Sequence, residues 1–88
     1  MKYSYHTIKD KITGKFTFPQ LSDNRERFIA NFVLNRMETD KAFKPEEFET
    51  AEIAEWDDEK GELSPKTPVF ADVSAIFEIW QNRAGRSL

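Results

Sequence analysis

The chain has no cysteine, one histidine, three glycines and four prolines in 88 residues. Without cysteine there is neither a disulfide nor a thiolate metal site, a composition that fits a reducing cytoplasm. No apolar run approaches the roughly 18–20 residues of a membrane span. The opening residues, Met1-Lys2-Tyr3-Ser4-Tyr5-His6, carry no apolar segment of the kind a signal peptide needs, so no signal peptide is expected. His6 falls in a strand pattern with no nucleophile and orienting acid spaced to form a triad. Asp57, Asp58 and Glu59 lack the twelve-residue calcium-loop pattern. Gly14 and Gly61 belong to separate turns and make no phosphate-cradling loop. No catalytic residue, metal or cofactor is therefore expected.

What is present is a single small domain, residues 1–88, rich in aromatics. These make up 14% of the chain, mostly phenylalanine. A domain this size buries only about 60–65% of its unfolded surface, and large rings compensate for a thin core. The thin core, the aromatic load and an exposed sheet edge together predict a homodimer. The net charge is −3 but unevenly spread. Residues 1–36 carry seven basic groups against Asp10, Asp23 and Glu26, a balance of +4. Residues 37–62 carry eleven acidic groups against Lys41, Lys44 and Lys60, a balance of −8, and the remainder comes to +1.

Period-two alternation from Tyr3 to Lys9 predicts a strand, followed by a turn at Asp10 to Gly14. Lys15 to Phe18 offers a short second strand stopped by Pro19. Asp23 to Met37 reads as a helix, with Asp23 as N-cap, Glu26 completing a capping box, and Phe28, Ile29, Phe32, Val33 and Met37 on one face. Phe48 to Trp56 reads as a strand, Ala51 and Ile53 pointing one way and Thr50, Ala54 and Trp56 the other. A tight hairpin follows through Asp58, Glu59 and Lys60, with Gly61 in the left-handed position and a return strand at Glu62 and Leu63. Ser64 to Pro68 is a stiff connector. A last helix carries Phe70, Val73, Ile76, Phe77 and Trp80, with Thr67 or Asp72 as cap, Pro68 in its first turn and Gly85 as its stop. The order predicts an α+β fold: a small antiparallel sheet of three to four strands with two helices packed on one face.

Two binding constellations emerge. Tyr3 and Tyr5 share a strand with Lys2 and Lys9, with Lys11 and Lys15 in the adjoining turn and Arg25 and Arg27 on the helix that follows. Rings beside cations suit single-stranded nucleic acid, because bases stack on rings while cations follow phosphates. The same tyrosines would serve equally to pack against the helices. The second is the acidic segment Glu46 to Glu62, with Glu49, Glu52, Glu55 and Asp57: it makes a solvated face, repels nucleic acid, mimics its phosphate array, or docks on a basic protein partner. Trp80 is either core or an interface anchor.

Three stretches carry a family resemblance: Tyr5-His6-Thr7-Ile8-Lys9-Asp10, Phe43-Lys44-Pro45-Glu46-Glu47-Phe48, and Ile53 through Trp56-Asp57-Asp58-Glu59-Lys60-Gly61-Glu62-Leu63-Ser64-Pro65. The chain resembles the small non-structural protein of gokushoviruses, single-stranded DNA phages of the microvirus group. The resemblance spans about residues 3–77. Ala54 and Trp56 stand where glycine and phenylalanine are usual, and Lys60 where threonine is. It implies a non-enzymatic DNA-binding protein in the host cytoplasm, tied to viral DNA replication and single-strand packaging. Its implied partners are single-stranded DNA or the viral replication initiator, and it implies no membrane role.

Overall fold

The computed structural model describes residues 2–84. Five strands and two helices follow one another: β1 (Lys2–Asp10), β2 (Gln20–Ser22), α1 (Arg25–Thr39), β3 (Phe48–Asp57), β4 (Glu62–Pro65), β5 (Ala71–Asp72) and α2 (Val73–Ala84). A single 3-10 turn, Pro45–Glu47, precedes β3. The sheet is antiparallel throughout, in the order β2-β1-β3-β4, and β5 pairs with the far end of β3 beside β4. The architecture is the expected α+β one, with five strands where three to four were expected.

The same local device makes both hairpins. At Asp10 and Asp57 the carboxylate accepts the amides two and three residues on, at 2.9 and 3.2 Å in the first turn and 3.0 and 3.2 Å in the second. Four residues after each aspartate a glycine closes the loop, donating its N–H to the aspartate carbonyl at 2.8 Å. Gly14 and Gly61 have φ of 75° and 64°, a region where a β-carbon is penalised. After the first turn the chain returns beside β1 through a lone bridge between Lys9 and Phe16. It becomes a strand only past Pro19, which has no N–H to give a ladder. The second strand is thus Gln20–Ser22 instead of Lys15 to Phe18.

The helix boundaries also differ from expectation. Asn24 caps α1, its side chain accepting from the Arg27 amide at 3.0 Å, so Asp23 and the capping box with Glu26 are not used. Asn24 is itself held by Ser22, whose hydroxyl takes the Asn24 amide at 3.1 Å. α2 begins only at Val73, because Ala71 and Asp72 are drawn into pairing with β3. Pro68 and Phe70 therefore lie outside the helix, and Ser64 and Pro65 belong to β4. Gly85, the expected helix stop, lies outside the described residues.

Both helices cover one face of the sheet. Ile8 of β1 meets Ile29, Ala30 and Val33 of α1 and Val73, Ile76 and Phe77 of α2, all buried. Phe32, Phe43 and Phe48 close the side in mutual ring contact at 5.1–5.7 Å. Each buried aliphatic side chain contributes about 1.5–3 kcal/mol. Among the described residues no helix packs on the opposite face of the sheet.

Candidate nucleic-acid interface

Alternation along β1 divides its side chains between the two faces. Ser4, His6 and Ile8 point to the helices, and Tyr3, Tyr5, Thr7 and Lys9 to the open side. The partner strand is where regular alternation fails. His6 pairs with Glu52 but Tyr5 pairs with Ala54, so Ile53 is an extra residue, a β-bulge. Uninterrupted pairing from Glu52 would have set Glu55 beside Tyr3. The bulge sets Trp56 there instead. It also returns Glu55 to the helix side, opposite Ser4. The sequence assignment of Thr50, Ala54 and Trp56 to one face is corrected accordingly: Thr50 is buried on the helix side, where its hydroxyl donates to the Thr7 carbonyl at 2.8 Å, and Ala54 and Trp56 join Ala51 on the open side.

The open face is thus a stripe of rings and apolar groups. Leu63 of β4 lies beside Trp56, Trp56 beside Tyr3, and Leu21 of β2 beside Tyr5. Tyr3, Tyr5 and Trp56 are half-buried; Leu21 and Leu63 are exposed. At the far end Phe16 and Phe70 meet at 6.1 Å, with the Lys9 ammonium 5.6 and 5.7 Å from their ring centres.

The cations expected to join the tyrosines are dispersed. Lys9 shares their face, 3.9 Å from Glu49. Lys11 pairs with Asp72 at 3.2 Å, and Lys15 lies in the turn beside Phe16. Lys2 points to the other side, 3.6 Å from Glu55. Arg25 and Arg27 belong to α1. No carboxylate lies within 4 Å of Lys15, Arg25 or Arg27 among the described residues. Sequence proximity grouped these residues, and strand alternation separates them.

The acidic set is split in the same way. Glu49 is on the open side with Lys9. Glu52 and Glu55 lie on the helix side around Lys66, at 2.9 and 3.6 Å. Ser4 donates to Glu52 at 2.6 Å. That bond, with Lys66, holds the Glu52 carboxyl below its usual range, and Glu52 in turn raises Lys66. Asp57 is spent on its turn. Trp80 stacks on Phe77 at 5.8 Å and packs against the core.

His6 stacks on Phe28 at 5.5 Å and is almost fully buried. Burial lowers its pKa from 6.5; Glu52 opposes that shift, and Arg25 and Lys66 reinforce it. Sequence reasoning missed Trp56 and Leu63 as companions of the tyrosines, and Phe16 and Phe70 as companions of Lys9 at the far end of the same face. Trp56 at the end of β3 was the available signal, since nothing in the sequence marks Ile53 as a bulge.

Among the described residues no group of three potential metal ligands occurs, and no helix is long and apolar enough to cross a membrane. The family described as Phage ORF5 protein matches residues 3–76. No curated protein and no solved structure matches the chain.

Proposed function

The chain belongs to the Phage ORF5 protein family and is a bacteriophage protein; from that premise we propose that it is a non-enzymatic accessory of viral DNA replication and packaging that holds single-stranded DNA on the open face of its sheet. The gokushovirus resemblance supports a reading within the microvirus group and in the host cytoplasm. The observation that carries the reading is the Tyr3–Trp56 cross-strand pair with Tyr5 alongside, on a sheet face that the helices leave uncovered. Bases stack on such rings without regard to sequence, each contributing about 1–3 kcal/mol. The bulge strengthens the reading, because it turns Glu55 away from the rings, to the helix side where Glu52 already lies. The carboxylates that remain, Glu49 and Asp72, are each paired with a lysine.

Fluorescence anisotropy of a labelled oligothymidylate, at two salt concentrations, tests this. Expected is salt-sensitive binding of micromolar strength or weaker, weaker still to duplex, and lost by roughly tenfold or more in Tyr3→Ala or Trp56→Ala. Trp56 fluorescence should be quenched on stacking. Absence of binding at low salt would overturn the reading. A dimeric mass by light scattering that the same variants abolish would then assign the face to a second copy of the chain. An acidic dock for the replication initiator has less support, since Glu49, Glu52 and Glu55 do not form one surface.

A further inference from the structure

Between Ala54, where β4 leaves it, and Thr50, where β5 joins it, no strand pairs with the outer edge of β3 among the described residues, although the Lys66 N–H donates to the Ile53 carbonyl at 2.9 Å. A cavity of about 330 Å³ opens at this gap, within the roughly 300–1,000 Å³ range of small-molecule sites. Its polar lining includes His6, Arg25, Glu52, Lys66 and Thr67.

Three features of this lining point to the same ligand. His6 is 3% exposed, yet its Nδ1 has no hydrogen-bond partner. A buried polar atom left in that state costs about 1–3 kcal/mol, and a ligand oxygen would remove the cost by accepting from Nδ1–H. Arg25 has no carboxylate within 4 Å among the described residues. As the first residue of α1 it stands where the helix dipole favours an anion. Lys66 is held at the rim by Glu52 and Glu55, and its ammonium has a third N–H to offer. The lining carries two cations against the single carboxylate of Glu52, which Ser4 and Lys66 already engage. An anion with several acceptor oxygens would complement this lining.

We infer that this cavity binds a phosphate monoester, with Arg25 and Lys66 pairing its oxygens and His6 Nδ1 donating to it. The group comes either from a free mononucleotide or from the 5′ end of a DNA strand. The site uses none of the rings of the open face, so it stands independently of the stacking reading.

The test is a series of proton–nitrogen spectra of the full chain, titrated with inorganic phosphate, thymidine 5′-monophosphate and thymidine. Phosphate and the monophosphate should shift the His6 imidazole and Arg25 signals at millimolar concentration, and thymidine should not. Arg25→Ala should weaken this by about tenfold. His6→Phe, which keeps a ring against Phe28, should weaken it while leaving the rest of the spectrum folded. A 5′-phosphorylated oligonucleotide that binds tighter than its unphosphorylated twin, with Arg25→Ala erasing the difference, assigns the site to DNA ends. Equal binding of the twins with a retained monophosphate response assigns it to free nucleotide. No shift with either phosphate, or equal shifts with thymidine, overturns the inference. Tyr3→Ala should leave the shifts caused by phosphate and the monophosphate intact, so failure here and failure of the stacking face are separable.

Discussion

His6 sets the acid side of the stability curve. Burial against Phe28 disfavours its charged form, and the folded-state pKa lies below the ordinary 6.5. The unfolded chain therefore binds the proton more readily, so stability is fully present above about pH 6.5 and declines as pH falls through that value. Urea midpoints measured from pH 8 to pH 5 should fall, and His6→Phe should flatten that fall. A second loss sets in as pH falls below about 4.5, the ordinary value for Glu52: the unfolded chain takes up protons there that Glu52, held low by Ser4 and Lys66, and Asp10, held low by the Ile12 and Thr13 amides, still resist in the folded state. Thr50 is the other buried polar residue of consequence. Thr50→Val keeps the shape and deletes the bond to the Thr7 carbonyl, at a cost of about 1 kcal/mol in urea unfolding.

At the scale of the element, two turns of one design hold the sheet in register. Gly61→Ala meets no neighbour within 4 Å, so its cost is purely that of a left-handed backbone. A loss of about 1 kcal/mol in the urea midpoint is expected, with the same loss in Gly14→Ala. A much larger loss at either site would mean that the turn also packs against something. Asn24→Ala should cost α1 about 1 kcal/mol, and Asp23→Ala almost nothing, because the cap lies one residue later than the Asp23–Glu26 spacing suggests. Ser22, at the end of β2, makes that choice by holding the Asn24 amide.

For the molecule as a whole, the charge distribution matters more than the net −3. Three of the basic residues of the N-terminal third are already paired with carboxylates on β3 or β5: Lys2 with Glu55, Lys9 with Glu49, and Lys11 with Asp72. Partly exposed pairs of this kind are weak, about 0–1 kcal/mol, and a phosphate can compete for the lysines. The positive field they offer is nonetheless modest, so binding of DNA should rest on stacking more than on phosphates. The slope of log affinity against log salt should be shallow, about −0.7 for each phosphate contacted. Replacing Lys9, Lys11 and Lys15 together with alanine should weaken binding and flatten the slope further. An unchanged slope in that variant would remove the lysines from the interface.

The sequence by itself determined whatever depends on neighbours along the chain. The two aspartate–glycine turns and the apolar faces of both helices were legible, because hydrogen bonding within five residues and side-chain periodicity dictate them; the order of elements gave an antiparallel sheet with both helices on one face, but not the order of its strands. What surrounds Tyr3 was decided only in three dimensions. Pairing of β1 with β3 joins residues about fifty apart, and one extra residue at Ile53 determines whether Tyr3 meets a glutamate or a tryptophan. The same holds for Phe70, which fits the helical period of Val73 and Phe77 but lies outside α2, because β5 pairing delays the helix start to Val73. His6, Arg25 and Lys66 line one cavity only because β1, α1 and the residue after β4 converge at the gap in β3's outer edge. Periodicity reports which face a residue prefers within its own element. Register, bulges and gaps decide what it finds there, and they follow from the packing of the whole sheet against its helices.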